Sequence, residues 1–189
     1  MTETNENKQP FILIGYMGSG KSYVCKRLGA RLGLKWIDLD DVIEAHAGKS
    51  ISAIFVEDGH DAFRKLEHEC LVQLLDELEY DLISAGGGAP CYWNNMALMN
   101  ARAQTIYLRR DAQAILKYVL PGIDHRPLLS GKQPDEIEEY IKQTLAEREP
   151  YYLQARFILE DLESEALLDA VQQIMQSQGP EVTALRHLS

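Results

Sequence analysis

One glycine-rich segment near the start of the chain constrains its fold more than any other feature. It follows a short apolar run over residues 11–14 and leads into a helical pattern over residues 24–32. Its sequence is Gly15-Tyr16-Met17-Gly18-Ser19-Gly20-Lys21-Ser22. A strand, a glycine loop and a helix in that order are the context of a P-loop, whose backbone N–H groups and helix dipole face phosphate oxygens. The segment therefore predicts a site for a nucleoside triphosphate.

Within this loop, the lysine and the serine have specific expected tasks. Lys21 can reach the β- and γ-phosphates, and the Ser22 hydroxyl can ligate Mg²⁺. The residues expected to hold the phosphates of ATP are Gly18, Ser19, Gly20, Lys21, Ser22 and Tyr23. The loop leaves open what happens to the γ-phosphate, because motors, switches and kinases share it.

The composition is typical of a globular protein with an acidic balance. With 189 residues, the chain is long enough for one domain with its own core. Its net charge of −10 disfavours nucleic acid as a partner, since phosphate backbones need clustered Lys and Arg. Cys25, Cys70 and Cys91 form no CxxC pair and are odd in number, which favours a reducing compartment. Residues 1–10 lack the apolar centre of a signal peptide and no segment is long enough to cross a membrane, so we expect a cytoplasmic protein.

Apolar runs typical of strands alternate with helical patterns along the chain. Strands are predicted at residues 11–15, 35–39, 80–85, 105–109 and 156–160. Helices are predicted at residues 21–32, 40–47, 59–78, 93–100, 111–119, 134–148 and 164–177. Such alternation favours βαβ units, with a parallel sheet between two layers of helices.

The chain shows a single candidate domain with less ordered ends. We expect a disordered N-terminus over residues 1–10, one domain over residues 11–177 and a flexible tail over residues 178–189. Residues 120–133 contain two prolines and two glycines between predicted helices, which is typical of a lid loop. Gly33 and Asp111 are expected to end and to begin helices, respectively.

The second predicted strand ends in acidic residues. By contrast, the strand over residues 80–85 ends in glycines, where a P-loop protein usually carries its metal-binding aspartate. Period-two alternation places Asp38 and Asp40 on one face while the segment stays extended. We therefore assign Asp38 to the metal and its water shell, and Asp40 to an acceptor hydroxyl. The alternative is that Asp40 or Asp41 only caps the next helix.

Three further features are suited to binding anions. The cluster Gly86-Gly87-Gly88 exposes backbone N–H groups after a strand. Arg126 belongs to the loop over residues 120–133, where it can cover charge that builds up during transfer. Arg64 and Arg148 lie at the start and at the end of predicted helices. Their alternative roles are a solvated side chain for Arg64 and an interaction with the helix dipole for Arg148.

Together these motifs resemble the shikimate kinase family from about residue 11 to residue 176. The motifs that carry the resemblance are Gly15-x4-Gly20-Lys21-Ser22, Asp38-x-Asp40, Phe63-Arg64-x-x-Glu67, Gly86-Gly87-Gly88, Arg126-Pro127-Leu128-Leu129 and Arg148-x-Pro150-x-Tyr152. The resemblance implies a three-layer α/β P-loop kinase fold with a five-stranded parallel sheet. It also implies transfer of the ATP γ-phosphate to the 3-hydroxyl of shikimate, a step in chorismate and aromatic amino-acid biosynthesis.

The resemblance further implies a role for each matching residue. Asp40 would bind the acceptor hydroxyl and act as the base, with Lys21 and Arg126 as the other catalytic residues. Mg²⁺ would be held through Ser22 and Asp38. The residues expected to bind shikimate are Asp40, Phe55, Phe63, Arg64, Glu67, Gly86, Gly87, Gly88 and Arg148, of which Glu67 orients Arg64. The expected ligands are ATP and shikimate, and the expected state is a monomer with no nucleic-acid or membrane partner.

The chain departs from the family pattern on the side of the nucleotide base. The helix predicted over residues 111–119 carries Lys117-Tyr118 where an arginine often faces adenine, so Tyr118 either stacks on adenine or packs inside the fold. Residues 160–163 are unusually acidic, and Tyr23 stands where a small Thr is usual. The other hypotheses are a gluconate or nucleoside monophosphate kinase of the same fold, and a nucleotide-binding module without turnover. A nucleotide acceptor would call for more lid arginines, and Asp40 argues against binding alone.

Overall fold

Five parallel strands form one sheet in the computed structural model, which describes residues 9–121 and 133–177. The strands are β1 (Phe11–Ile14), β2 (Trp36–Asp38), β3 (Leu82–Ser84), β4 (Gln104–Arg109) and β5 (Phe157–Glu160). Their order across the sheet is β2-β3-β1-β4-β5, so the strand before the glycine loop is central. The expected five-stranded parallel sheet is confirmed.

Helices follow the strands and cover the sheet. They are α1 (Lys21–Leu32), α2 (Leu39–Ala47), α3 (Ile51–Glu57), α4 (Gly59–Glu77), α5 (Asn95–Arg102), α6 (Ala112–Val119), α7 (Pro134–Tyr152) and α8 (Ser164–Gln176). A short 3₁₀ helix, Ala89–Cys91, follows the glycine triplet after β3.

Alternate residues of the central strand point into two separate cores. Ile12 and Ile14 pack in one core with residues of α2, α4 and α7, whereas Leu13 packs in the other with residues of α1 and α8. All three side chains are fully buried. A strand covered on both faces is apolar at every position, which is why β1 shows no polar alternation in the sequence.

Several helix ends have the caps that the sequence predicts. Gly33 ends α1 in a left-handed conformation with φ of 68°, which glycine adopts without steric cost. The Asp111 side chain accepts a hydrogen bond of 2.7 Å from the Ala114 N–H at the start of α6. A further cap was not predicted, namely the capping box that Gln133 and Glu136 form at the start of α7.

Two helices differ from the sequence prediction. The helix α3 was not predicted, although Ser50 caps it by accepting a bond of 3.2 Å from the Ala53 N–H. It has seven residues, three of them β-branched, so the periodic signal is short and weak. The helix α7 continues through Pro150 to Tyr152 instead of ending at residue 148. Placing Arg148 at a helix end was therefore wrong.

Some expectations concern residues outside the described ranges. They include Arg126, most of the expected lid over residues 120–133, and the expected tail over residues 178–189. The extent of the domain over residues 11–177 stays a prediction. Among the described residues, no helix combines the length and the apolar character needed to span a bilayer.

Candidate active site

A cavity of about 480 Å³ lies beyond the carboxyl ends of β1, β2 and β3. On one side it is bounded by the glycine loop and the start of α1. On the other it is bounded by α2, α3, α4, α7 and the segment after β3. The predicted site residues that line it are Gly18, Lys21, Ser22, Asp38, Asp40, Phe55, Phe63, Arg64, Glu67, Gly86, Gly87, Gly88 and Arg148. The structure thus brings together residues that are spread over most of the chain.

The glycine loop wraps around the amino group of its lysine. Lys21 Nζ donates hydrogen bonds of 2.8 Å to Gly15 O and 2.9 Å to Tyr16 O, and its side chain is buried. Gly18 has φ of 78°, and a Cβ atom there would lie 2.9 Å from Val119 of α6. The close approach of α6 and the left-handed backbone together explain why this position is glycine.

The other three residues expected to bind the phosphates lie in or directly after the glycine loop, but they do not line the cavity. Gly20 precedes α1 with φ of 99°. Ser19 is buried, and its hydroxyl has no hydrogen-bond partner among the described residues. Tyr23 is 45% exposed on the outer side of α1.

The two residues expected to hold the metal form a direct pair. Ser22 Oγ donates to Asp38 Oδ2 at 2.5 Å, and Ser84 Oγ lies 3.2 Å from Ser22 Oγ. Hydroxyl and carboxylate oxygens are the hard ligands that Mg²⁺ prefers. The described residues contain no group of three or more His, Cys, Asp or Glu side chains suited to a metal. This donor set therefore fits an ion that takes few ligands from the protein and the rest from phosphates and water.

The two aspartates reach the cavity by a different local structure than the sequence predicted. The strand β2 ends at Asp38 and α2 begins at Leu39, so Asp40 is not part of an extended segment. Asp38 Oδ1 accepts a bond of 3.1 Å from the Asp40 N–H and caps α2. The argument from period-two alternation was wrong, as was the alternative that Asp40 or Asp41 is the cap. The cap itself holds both carboxyl groups at the cavity.

Asp40 lies in an environment that disfavours its charge. Burial is the main cause, with the nearby Asp38 and Glu67 carboxylates next, and together they raise the pKa of Asp40 from 3.8 to about 7. The Lys21 ammonium offsets part of this effect. A carboxyl group with a pKa near neutrality can take up a proton from a substrate hydroxyl.

Arg64 forms a buried ion pair with Glu67. Arg64 Nη1 donates to Glu67 Oε2 at 2.7 Å on one face of α4, and both side chains are almost fully buried. Burial raises the pKa of Glu67, and the Arg64 charge opposes that rise. The alternative of a solvated Arg64 is therefore wrong. Glu67 holds one side of the guanidinium; the orienting role that the resemblance implies for it stays a prediction.

The glycine triplet is explained by the side chains that crowd against it. A Cβ atom at Gly86 would lie 2.9 Å from Asp40 Oδ1, and one at Gly88 would lie 2.5 Å from Arg64 Nη1. At Gly87 it would lie 3.1 Å from the backbone nitrogen of Met17 in the glycine loop. A side chain at any of these three positions would displace Asp40, Arg64 or the glycine loop. It would also cover backbone N–H groups.

Arg148 rests on two tyrosines that sequence reasoning did not assign to the site. Its Cζ atom lies 5.4 Å from the centre of the Tyr16 ring, and Tyr152 is among the groups that act on its charge. Tyr152 in turn donates to Gly87 O at 2.5 Å. Tyr152 is part of the Arg148-x-Pro150-x-Tyr152 motif, and its spacing of four residues on a helix was a usable signal.

An aromatic pair completes the acceptor side of the cavity. The ring centres of Phe55 and Phe63 lie 4.4 Å apart, and both rings line the cavity. Such a wall suits the apolar face of a small ring.

The side expected to bind the nucleotide base is separate from this cavity. Tyr118 is 46% exposed on α6, and a Cβ atom at Gly18 would lie 3.7 Å from its Cβ. The alternative of a buried Tyr118 is therefore wrong. Arg109, at the end of β4, donates to Glu149 and Glu160, each at 2.8 Å, and was not singled out in the sequence.

The three cysteines are free thiols. Cys25 and Cys70 are buried, and Cys91 is half-buried at the end of the 3₁₀ helix. Burial raises the pKa of Cys91 to about 11, so its thiol is protonated at neutral pH.

A P-loop, a paired serine and aspartate, and a buried carboxyl group facing arginines define a small-molecule kinase of the P-loop class. Comparison with known proteins gives the family. The model of the shikimate kinase family matches residues 17–178. A shikimate kinase from Parabacteroides distasonis is 42% identical over 143 residues, which cover 76% of this chain and 82% of that protein.

Solved structures agree with this match. The shikimate kinase from Bacteroides thetaiotaomicron has a TM-score of 0.79 and 32% identity, over 89% of this chain and 97% of that one. The shikimate kinase from Acinetobacter baumannii, solved in complex with shikimate, has a TM-score of 0.79 and 27% identity, over 93% of this chain and 97% of that one. The chain belongs to the shikimate kinase family, and the expectation of a kinase is confirmed.

Proposed function

We propose that this chain transfers the γ-phosphate of ATP to the 3-hydroxyl of shikimate, giving shikimate 3-phosphate and ADP. The observation that carries the proposal is the make-up of one cavity. The phosphate-binding loop, Asp40, two arginines and two phenylalanines line it together, and they suit a hydroxyl, a carboxylate and a ring. These are the polar and apolar groups of shikimate. The step belongs to chorismate and aromatic amino-acid biosynthesis.

On the phosphate side, the glycine loop and Lys21 hold the β- and γ-phosphates. Lys21 exchanges its bonds to Gly15 O and Tyr16 O for phosphate oxygens, and it moves little because it already lies across the loop. Ser22 and Asp38 are the residues that would hold Mg²⁺. When bound, the ion neutralises phosphate charge. We assign Arg126 to the charge that builds up between the β- and γ-phosphates, by its place in the family motif.

On the acceptor side, Asp40 receives the proton of the attacking hydroxyl. Its raised pKa makes the carboxylate a better base than an exposed aspartate, while about half of the molecules remain ionised at neutral pH. Arg64, Arg148 and the Gly87 N–H hold the carboxylate of shikimate, which fixes the distance between its ring and Asp40. Phe55 and Phe63 pack against the ring.

The direct test is an ADP-release assay with shikimate beside gluconate, quinate and AMP, each with ATP and Mg²⁺. The proposal predicts turnover that is confined to shikimate. Turnover of gluconate or AMP alone would replace it with another kinase of the same fold. ATP binding without turnover of any acceptor would support a binding module.

We also propose that the protein works in the cytoplasm and as a monomer, with ATP and shikimate as its ligands. The support for a reducing compartment is that the cysteines are free, two of them buried where an oxidant has poor access. Size-exclusion chromatography with light scattering tests the monomer, and a mass of twice the 21.4 kDa chain would contradict it.

A further inference from the structure

Arg64 makes contacts with two aromatic rings that its proposed role does not require. The Tyr92 ring lies 4.1 Å from Arg64 Cζ, and the Phe63 ring lies 4.9 Å from it. Tyr92 directly follows the 3₁₀ helix after the glycine triplet. Neither Tyr92 nor the neighbouring His60 is among the described residues that line the cavity.

Tyr92 and His60 form one small cluster beside Arg64. The Tyr92 hydroxyl and Arg64 Nε both approach His60 Nε2, at 3.2 Å and 3.4 Å. The other ring nitrogen of His60 lies 3.6 Å from Asp61. Because Arg64 Nε can only donate, His60 Nε2 is the acceptor, which fits the tautomer with its proton on Nδ1. The two rings meet edge to face, with centres 5.3 Å apart.

The contacts around Arg64 leave one edge of its guanidinium for a ligand. Nη1 is paired with Glu67, Nε faces His60, and a Cβ atom at Gly88 would crowd both Nη1 and Nη2. Among the described residues, none makes a hydrogen bond to Nη2. A planar guanidinium that is held on its face and on two edges presents its remaining donors in one fixed direction.

We propose that Tyr92, supported by His60, is a positioning residue for substrate recognition, whose ring holds Arg64 in the orientation that binds the acceptor's carboxylate. The proposal rests on the proposed function, because it needs a carboxylate acceptor at Arg64. A cation over a tyrosine ring is attracted to its face, and the contact is stronger where water is excluded. Arg64 is 8% exposed, so this contact is largely desolvated.

The test compares steady-state rates of Tyr92→Leu and Tyr92→Phe with those of the wild type. Tyr92→Leu removes the ring, and it should raise KM for shikimate by about 3- to 30-fold while kcat and KM for ATP change less than about twofold. Tyr92→Phe keeps the ring and should stay within about twofold of wild type. Trp93→Leu is the matched control, since Trp93 is the neighbouring aromatic residue but stacks on His68, and its loss should change neither constant.

A second measurement separates positioning from a general loosening of the site. In an Arg64→Ala background, Tyr92→Leu should add no further rise in KM, because the group it positions is gone. A shikimate derivative with a carboxamide in place of the carboxylate should bind wild type and Tyr92→Leu almost equally, since it offers no charge to Arg64. Thermal unfolding of each variant confirms that it is folded.

Three outcomes would overturn the inference. They are an unchanged KM in folded Tyr92→Leu, an equal loss in Tyr92→Phe, and a fall in kcat with no rise in KM. If the wild type does not phosphorylate shikimate at all, the proposed function fails instead. The two failures are therefore distinguishable.

Discussion

At the scale of single residues, the surroundings of Asp40 make it more reactive and make the folded chain less stable. Its carboxyl group lies between Asp38 and Glu67 in a buried cavity, which raises its pKa to about 7. A charged group in this position is poorly solvated in the folded chain but well solvated in the unfolded chain. The property that makes Asp40 a suitable base therefore also costs folding free energy.

The pH dependence of turnover should report this carboxyl group. Only ionised Asp40 can accept the proton of the hydroxyl, so kcat/KM for shikimate should fall about tenfold per pH unit as the pH drops below about 7. Initial rates between pH 5.5 and 8.5 at saturating ATP and Mg²⁺ measure it. Asp169→Asn is the control and should keep the profile, because Asp169 is exposed on α8 and is not among the charges that act on Asp40. A kcat/KM that stays flat down to pH 5.5 would contradict the raised pKa.

The stability of the wild type, measured against that of Asp40→Asn, should depend on pH in the opposite sense to activity. The folded-state pKa is raised, so the wild type is most stable where Asp40 is neutral in both states and loses stability as the pH rises through about 7. Asn carries no charge at any pH. We expect Asp40→Asn to be more stable than wild type at pH 8, by roughly 1–3 kcal/mol, with a smaller gap at pH 5. Urea unfolding at both pH values tests this, and a less stable variant at pH 8 would contradict it.

At the scale of elements, the glycine loop and α7 are joined through Tyr16. Thr144 donates to Tyr140 O within α7, so the Tyr16 hydroxyl is the donor in its bond of 2.5 Å to Thr144. The same ring lies beneath Arg148. The loop that binds phosphates therefore also supports an arginine on the acceptor side.

Replacing Tyr16 should affect acceptor binding although the residue belongs to the phosphate loop. Tyr16→Leu removes the ring beneath Arg148 and should raise KM for shikimate by about 3- to 10-fold. Tyr16→Phe keeps the ring and loses one hydrogen bond, so it should stay close to wild type. The KM for ATP should change less than that for shikimate, because Tyr16 contacts Lys21 through its backbone carbonyl. A Tyr16→Leu variant that loses only ATP affinity would contradict this link.

Most of the secondary structure could be predicted because its signals are local. Apolar runs, glycines after helices and the Asp111 cap act within a few residues of chain. The misplaced elements are those in which tertiary packing decides. The helix α3 is short, and α7 passes Pro150, which removes a single backbone donor near the helix end.

At the scale of the whole molecule, the sheet order determines which residues meet. With β1 between β3 and β4 and β2 beyond β3, the carboxyl ends of three adjacent strands lie around one cavity. An acidic chain with a net charge of −10 gathers Lys21, Arg64 and Arg148 there. Anionic groups of a substrate therefore meet cationic side chains there, although Asp38, Asp40 and Glu67 line the same cavity.

The residues that line the site were predictable, whereas those that support them were not. Asp40, Arg64 and Arg148 belong to motifs with a recognisable pattern in the chain. Tyr16 and Tyr92 act through contacts that the sequence cannot show. Tyr16 meets Thr144 across 128 positions, and Tyr92 meets His60 across 32. Only the fold brings such residues together.

The most direct test of the account is the rate of ADP release by Asp40→Asn with shikimate as the varied substrate. Asn keeps the size of the side chain and its place at the cavity, but it cannot accept the proton. We predict that kcat falls by about a hundredfold or more, while KM for shikimate stays within about threefold of wild type because Arg64 and Arg148 are intact. A kcat close to that of wild type would contradict the central claim that Asp40 is the base in this cavity.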